Sequence, residues 1–168
     1  MLVYGKNVAK LVLEKKENIN KIYLWDNFND KNIISLIIKG NYSVEKLTKN
    51  ELNQLEINNH QGIIIDINNY KFFSLEKVLN DKESKFIVVL DHLEDPHNFG
   101  AILRTCECAG VDYVIIQNKR SVSVTPTVMK TSSGALLYSK VCEVSSLNST
   151  LDKLKENNYI IIGSDMDG

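Results

Sequence analysis

Apolar positions recur along the chain at two spacings, and the way these spacings alternate outlines the fold. Residues 7–16 place Val8, Leu11 and Val12 on one side, with Lys15-Lys16 in the last turn where cations suit the helix dipole. That predicts a short helix. Residues 20–25 alternate as a strand, and 30–39 carry Ile33, Ile34, Ile37 and Ile38 at helical spacing, closed by Gly40. A short strand is expected at 42–47. Thr48, with Glu51 three residues on, forms a capping box that opens a helix over 51–55. Residues 62–67 are a near-continuous apolar run, as in a strand buried on both faces.

The second half is cleaner. A buried strand is predicted at 86–90, a polar loop at 91–97 and a helix over 98–109 ended by Gly110. Strands follow at 113–116, 141–144 and 159–162, separated by a broken helical segment (125–137) and an amphipathic helix (147–157). Strands separated by helix-length segments imply a parallel sheet covered on both faces. Between the halves, residues 70–84 are mixed and charged. They are expected to hold a linker or short bridging helix, giving units at 1–74 and 85–168 with a linker at 75–84.

Composition narrows the field. With 168 residues, 43% hydrophobic and 24% charged, the chain is of ordinary globular make-up and long enough to bury a core. Its longest apolar runs are of strand length, and the N-terminus has no signal-peptide pattern. Three cysteines in so long a chain read as free thiols, so the expected compartment is the cytoplasm. Net charge is −1, and no basic block nominates nucleic acid. The cations are more telling, because Arg104 and Arg120 are the only arginines beside eighteen lysines. In so Lys-biased a chain, two retained arginines suggest places that need the guanidinium fork.

Several chemistries fail on spacing. No glycines form G-x-G and there is no Walker A pattern, so a dinucleotide fold lacks its phosphate turn. Cys106 and Cys108 stand about 200° apart on a helix and cannot share one metal ion. A Cys–His nucleophile pair is disfavoured because Cys106 lies on the apolar stripe Phe99-Ile102-Cys106-Ala109. The densest polar signal is Asp91-His92-Leu93-Glu94-Asp95-Pro96-His97-Asn98-Phe99-Gly100-Ala101-Ile102-Leu103-Arg104, which follows a strand and opens a helix. Asp95-Pro96 suits a helix start. Arg104 points away from the stripe, with Gly100 beneath it leaving room for a ligand. Spacing alone fits a solvated helix-face arginine or an anion-binding one at the carboxyl edge of a sheet.

Residues 90–116 resemble the first motif of the SpoU (TrmH-like) RNA ribose 2′-O-methyltransferases of the SPOUT superfamily. The likeness continues through Val124-Thr125-Pro126-Thr127-Val128 and Ser133-Gly134-Ala135. Tyr4-Gly5-Lys6-Asn7 and His60-Gln61-Gly62-Ile63 resemble that family's substrate-binding domain. The resemblance implies an α/β fold: a small αβ substrate-binding domain, then an incomplete parallel SPOUT-type domain whose C-terminal knot is missing. It implies S-adenosylmethionine as methyl donor, with no cofactor-binding residue in this chain and the pocket expected after Gly168. RNA is the implied partner, closest to 23S rRNA, with a homodimer in the full-length form. Arg104 and Asn98 match the catalytic motif, while His60, Gln61 and Arg120 are candidate RNA contacts. The implied reaction is attack of a ribose 2′-oxygen on the sulfonium methyl, Arg104 positioning and stabilising. Where relatives often carry Leu-Glu after Ser-x-Gly-Ala, this chain has Leu136-Leu137. A shortened, non-catalytic RNA-binding relative is the alternative.

Overall fold

The computed structural model describes residues 1–119 and 121–164. Two sheets are present. The first is built from β1 (Leu2–Tyr4), β2 (Ile19–Trp25), β3 (Val44–Leu47) and β4 (Ile63–Ile67), in the order β1-β4-β2-β3. β4 runs antiparallel to both neighbours and β2 runs parallel to β3. Central β4 is buried on both faces, as its apolar run predicts. Helices α1 (Lys6–Lys15), α2 (Lys31–Gly40) and the short α3 (Lys49–Asn53) connect these strands. The capping box at the start of α3 forms as expected: Thr48 accepts from Glu51 N–H, and the Glu51 carboxylate accepts from Thr48 N–H at 2.8 Å. At the end of α2 it is Asn41, with φ 52°, that takes the left-handed turn. Gly40 stays helical, and its lack of a side chain leaves room for the Tyr42 ring, which a Cβ would strike.

The second sheet is wholly parallel, in the order β5 (Ile87–Val89), β6 (Tyr113–Gln117), β7 (Val141–Val144). Side chains alternate along β6, so the sheet serves two cores. Tyr113 and Ile115 pack with Val78 of α4 (Leu75–Asn80) and with Leu147 and Leu154 of α7 (Leu147–Glu156). Val114 and Ile116 face the other way, toward Phe99, Leu103 and Cys106 of α5 (Pro96–Ala109). That second core continues through α6 (Pro126–Thr131) and the 3₁₀ turn Ala135–Leu137 into Val3, Val8 and Val12 of the first half. No helix among the described residues is long and apolar enough to cross a membrane.

Two expectations change. The strand predicted at 86–90 is half-buried rather than buried, since β5 is an edge strand that among the described residues pairs only with β6. Residues 159–162 pair with no strand among the described residues. They lie beside β5 and α7 with Ile160 and Ile162 89% exposed, so their apolar pattern is not matched by burial. The charged stretch at 70–84 holds a short helix, α4, one of the two forms expected for it. Phe73 bridges Cys142 at the edge of β7, and α4 buries Val78 completely.

Tyr70 ties this crossing segment down. Its hydroxyl donates to Ser139 O at 2.7 Å and accepts from Val141 N–H at 2.9 Å. Burial holds the phenol above its ordinary pKa. Tyr70→Phe keeps the ring but leaves the Val141 N–H without a partner, a loss expected at about 1–3 kcal/mol. The shift of the urea midpoint at unchanged m-value measures it.

Candidate nucleic-acid interface

The chain leaves β5 at the carboxyl edge of the parallel sheet, where ligand loops of α/β folds gather. Asp95 then caps α5: its two carboxylate oxygens accept from His97 N–H and Asn98 N–H, each at 3.1 Å. Pro96 occupies the first turn, where its missing donor costs nothing. The loop before the cap is pinned to the loop after β6, as Val122 N–H and the Ser121 hydroxyl both donate to Leu93 O. Arg120, one of the candidate RNA contacts, lies outside the described residues.

On α5 the buried face is Phe99, Gly100, Leu103 and Cys106. The predicted stripe drifts: Ile102 is only half-buried and Ala109 is exposed, Leu103 taking the inner place. Cys106 is buried, and burial pushes its thiol up, consistent with an inert packing residue. Asn98 and Arg104 both lie on the exposed side, about 120° apart around the axis and roughly 9 Å apart along it. Ala101 lies between them and is also exposed, so the low ground beside Arg104 is at Ala101. Gly100 leaves no room for a ligand. It faces Thr131 and Ser132, and a Cβ there would sit 2.8 Å from Ser132 N. Its small size serves helix packing, not substrate.

The two N-terminal motifs come together as one unit. Gly5 N–H donates to Ile63 O at 3.3 Å and Lys6 N–H donates to Gln61 Oε1 at 2.9 Å. Gln61 takes a left-handed φ of 56° to make that reach. His60 turns back on its own loop: Gly62 N–H donates to Nδ1 at 3.0 Å, and Nε2 lies 3.1 Å from Asn53 Oδ1. Nδ1 must therefore be unprotonated, which fixes the Nε2–H tautomer. His60 is thus the polar clamp of a turn, and Gln61 is the link between the two motifs.

Lys130, on α6, is a residue that sequence reasoning missed. Its Nζ fills the space that a Gly5 side chain would occupy and stands 5.6 Å from the Tyr4 ring centroid. Burial lowers its pKa, with no carboxylate offsetting the effect. Helical spacing within 126–131 gives no hint of this neighbour, because the contact is made entirely by tertiary packing. On its other side α6 meets α5: Thr131 Oγ1 donates to Pro96 O at 3.3 Å. One short helix thus joins the paired N-terminal motifs to the helix that carries Asn98 and Arg104.

The groove beside β5 is walled mainly by Phe86, Ile87, Leu151, Ile160 and Ile162, the last two almost fully solvated, with Lys85, Asp91 and Asn148 among its polar residues.

His60 makes both of its bonds only when neutral. Burial and the nearby Lys49 charge hold its pKa below 6.5. The unfolded chain therefore binds the proton first, and stability falls as pH drops from about 6.5 through the lower folded value. Urea midpoints between pH 7.5 and 5 measure this loss, and His60→Gln is expected to remove its own share of it. An NMR titration of the His60 ring at or above 6.5 would contradict the assignment.

Comparison with known proteins agrees with this architecture. Residues 85–168 match the family described as the SpoU rRNA Methylase family, and residues 2–73 match RNA 2′-O ribose methyltransferase substrate binding. A Staphylococcus haemolyticus protein assigned by name to the TrmH family of tRNA/rRNA methyltransferases is 33% identical over 174 residues, covering 99% of this chain and 70% of that protein. A Bacillus subtilis protein with the same family name is 31% identical, covering 97% and 68%. Among solved structures, the SpoU methyltransferase AviRb from Streptomyces viridochromogenes, in complex with AdoMet, superposes with a TM-score of 0.75 at 16% identity, over 94% of this chain and 59% of that one. An AdoMet-bound rRNA methyltransferase from Sinorhizobium meliloti gives 0.70 at 15% identity, over 93% and 58%. The chain thus spans just under three fifths of those two structures. Two family matches that together take in nearly all of its length, and relatives above 30% identity along it, make the chain a member of the SpoU rRNA methylase family.

Proposed function

We propose that this chain supplies the RNA-reading part and the arginine helix of an S-adenosylmethionine-dependent RNA ribose 2′-O-methyltransferase acting in the cytoplasm on 23S rRNA. The observation that carries the proposal is the exposed face of α5. There Asn98, in the first turn beyond the carboxyl edge of the parallel sheet, and Arg104, six residues farther along the helix, are both exposed, and neither side chain is drawn into packing. Residues 1–74 would hold the RNA, residues 75–84 link, and residues 85–168 carry the chemistry. The full-length enzyme would act as a homodimer.

A guanidinium with a pKa above 12 is a poor base. Its strengths are planar, bidentate grip on a phosphate and a fixed positive charge. Arg104 would hold an RNA phosphate so that the ribose 2′-hydroxyl is oriented, and would stabilise negative charge as that oxygen loses its proton to solvent. The Asn98 amide, on the adjoining part of the same face, can both donate to and accept from the ribose. S-adenosylmethionine would supply an electrophilic methyl group. No step on it is assigned to the described residues. His60, Gln61 and Arg120 are proposed as RNA contacts, with Lys130 joining them through its unneutralised, half-buried charge.

The alternative reading is a non-catalytic RNA-binding protein of the same family that keeps only substrate recognition. Intact mass of the protein from its native cells separates the two. A mass well above 19.1 kDa supports the enzyme, and a mass equal to it supports the binder. In the native gene product, Arg104→Lys is expected to lower methyl transfer to rRNA at least tenfold without shifting the thermal midpoint. Lysine keeps the charge and loses the fork. Wild-type transfer by that variant would remove Arg104 from the mechanism.

A further inference from the structure

The turn that His60 clamps also walls a cavity of about 340 Å³, between the end of β2 and α3. The motif contacts described above do not account for it. Its apolar surface comes from the Trp25 and Ile57 side chains, both half-buried. Its polar surface comes largely from amides, at Asn53, Asn58 and Asn59. The charged residue of the lining is Lys49, which is exposed.

The loop that closes this cavity is under backbone strain. Glu56, Asn59 and Gln61 all adopt left-handed φ values, of 56°, 59° and 56°. Three such residues within six positions are costly, and cost of this kind collects at ligand clamps. Gly62 follows at φ 84°, and a Cβ there would lie 3.0 Å from the Phe28 ring and 3.4 Å from Trp25 Cβ. The turn is therefore pressed against the aromatic wall. His60 holds it in place through Asn53 Oδ1, which leaves the Asn53 amide NH₂ as a donor.

An apolar wall with an aromatic ring, an edge of amides and a cation at the mouth together define the ligand. It is flat, uncharged in its body, rich in alternating donors and acceptors, and attached to an anion. We infer that this cavity binds one unpaired nucleobase of single-stranded RNA, stacked on Trp25 and read along its edge by Asn53 and the neighbouring amides, with Lys49 toward its phosphate. Stacking on aromatic rings with hydrogen bonds to a splayed-out base is how single-stranded RNA is commonly read. A base held in a duplex presents neither its face nor its pairing edge, so the site selects unpaired RNA. The inference deepens the proposed RNA-reading role of residues 1–74 and rests on it.

Trp25 is the only tryptophan in the chain, so its emission reports on this cavity alone. The 168-residue chain is titrated with single-stranded octamers of A, U and C and with an RNA duplex of the same length, while anisotropy of end-labelled RNA follows binding at any site. Single strands are expected to quench Trp25 and the duplex to leave it unchanged. Asn53→Ala and Ile57→Ala, which alter the polar and the apolar part of the lining, are each expected to raise the half-saturating concentration at least fivefold. Ile57 lies outside the His60 clamp, so its variant keeps the turn intact. Binding by anisotropy with Trp25 emission unchanged, or wild-type affinity in both variants, overturns the base site and leaves the RNA reading standing. Absence of binding by either readout overturns the base site and counts against the RNA reading as well.

Discussion

The stretch from α6 through the 3₁₀ turn is packed against helices on both sides at distances that exclude a Cβ. Gly100 of α5 faces Thr131 and Ser132 of this stretch, and its own Gly134 faces the Leu11 side chain of α1, with a Cβ there set at 2.5 Å from Cδ1. Gly134 also holds φ 88°, which a side chain would strain. These two approaches bring the halves of the chain into one apolar core instead of two joined by a tether. Tyr70 and the Phe73 bridge then fasten the crossing segment to the edge of β7. The orientation of Arg104 relative to the N-terminal motifs is thus a packing outcome, set by how closely α6 can approach its neighbours.

That packing explains how a chain of net charge −1 can present a cationic site. Charge summed over a chain says little when pairing is uneven. Lys21 meets Glu45, and Lys6 meets Asp30 while lying near Phe28. Lys130, by contrast, is half-buried against Gly5 and Tyr4, and its lowered pKa has desolvation as its cause. An ammonium held this way favours an anion that replaces part of its lost hydration. Of the three carboxylates of the 91–95 loop, Asp95 is used by the start of α5, Asp91 lies beside His92, and Glu94 is exposed.

Local rules made much of this legible in advance. The caps at Thr48 and Asp95, the left-handed end of α5 at Gly110 and the two-faced burial of β4 follow from residues a few positions apart, and they appear as the sequence predicts. The misses need partners distant in sequence. Gly100 reads as space for a ligand until Thr131 is found against it. The 159–162 run is continuously apolar, as a buried strand is, but a strand exists only where another backbone accepts it, and among the described residues β5 does not. At the candidate site, the outward direction of Arg104 was readable from helical phase, and Asn98 entered only through the family resemblance. Lys130 was not readable, because its neighbours Tyr4 and Gly5 lie 125 or more positions away in the chain.

A division of labour follows from where the charge and the amides sit. Phosphate contacts position a nucleic acid, and base contacts specify it. The face of α5 offers a guanidinium and one amide in the open, suited to backbone and ribose. The turn at 56–62 offers the reverse, an aromatic wall and three amides with its cation at the margin. Reading and reacting would then occur on different halves, and the distance between them would set which nucleotide reaches Arg104 once another is held at Trp25. Such a ruler works only if it is stiff. The glycine approaches around α6 provide that stiffness, since neither can loosen without opening the core that the two halves share.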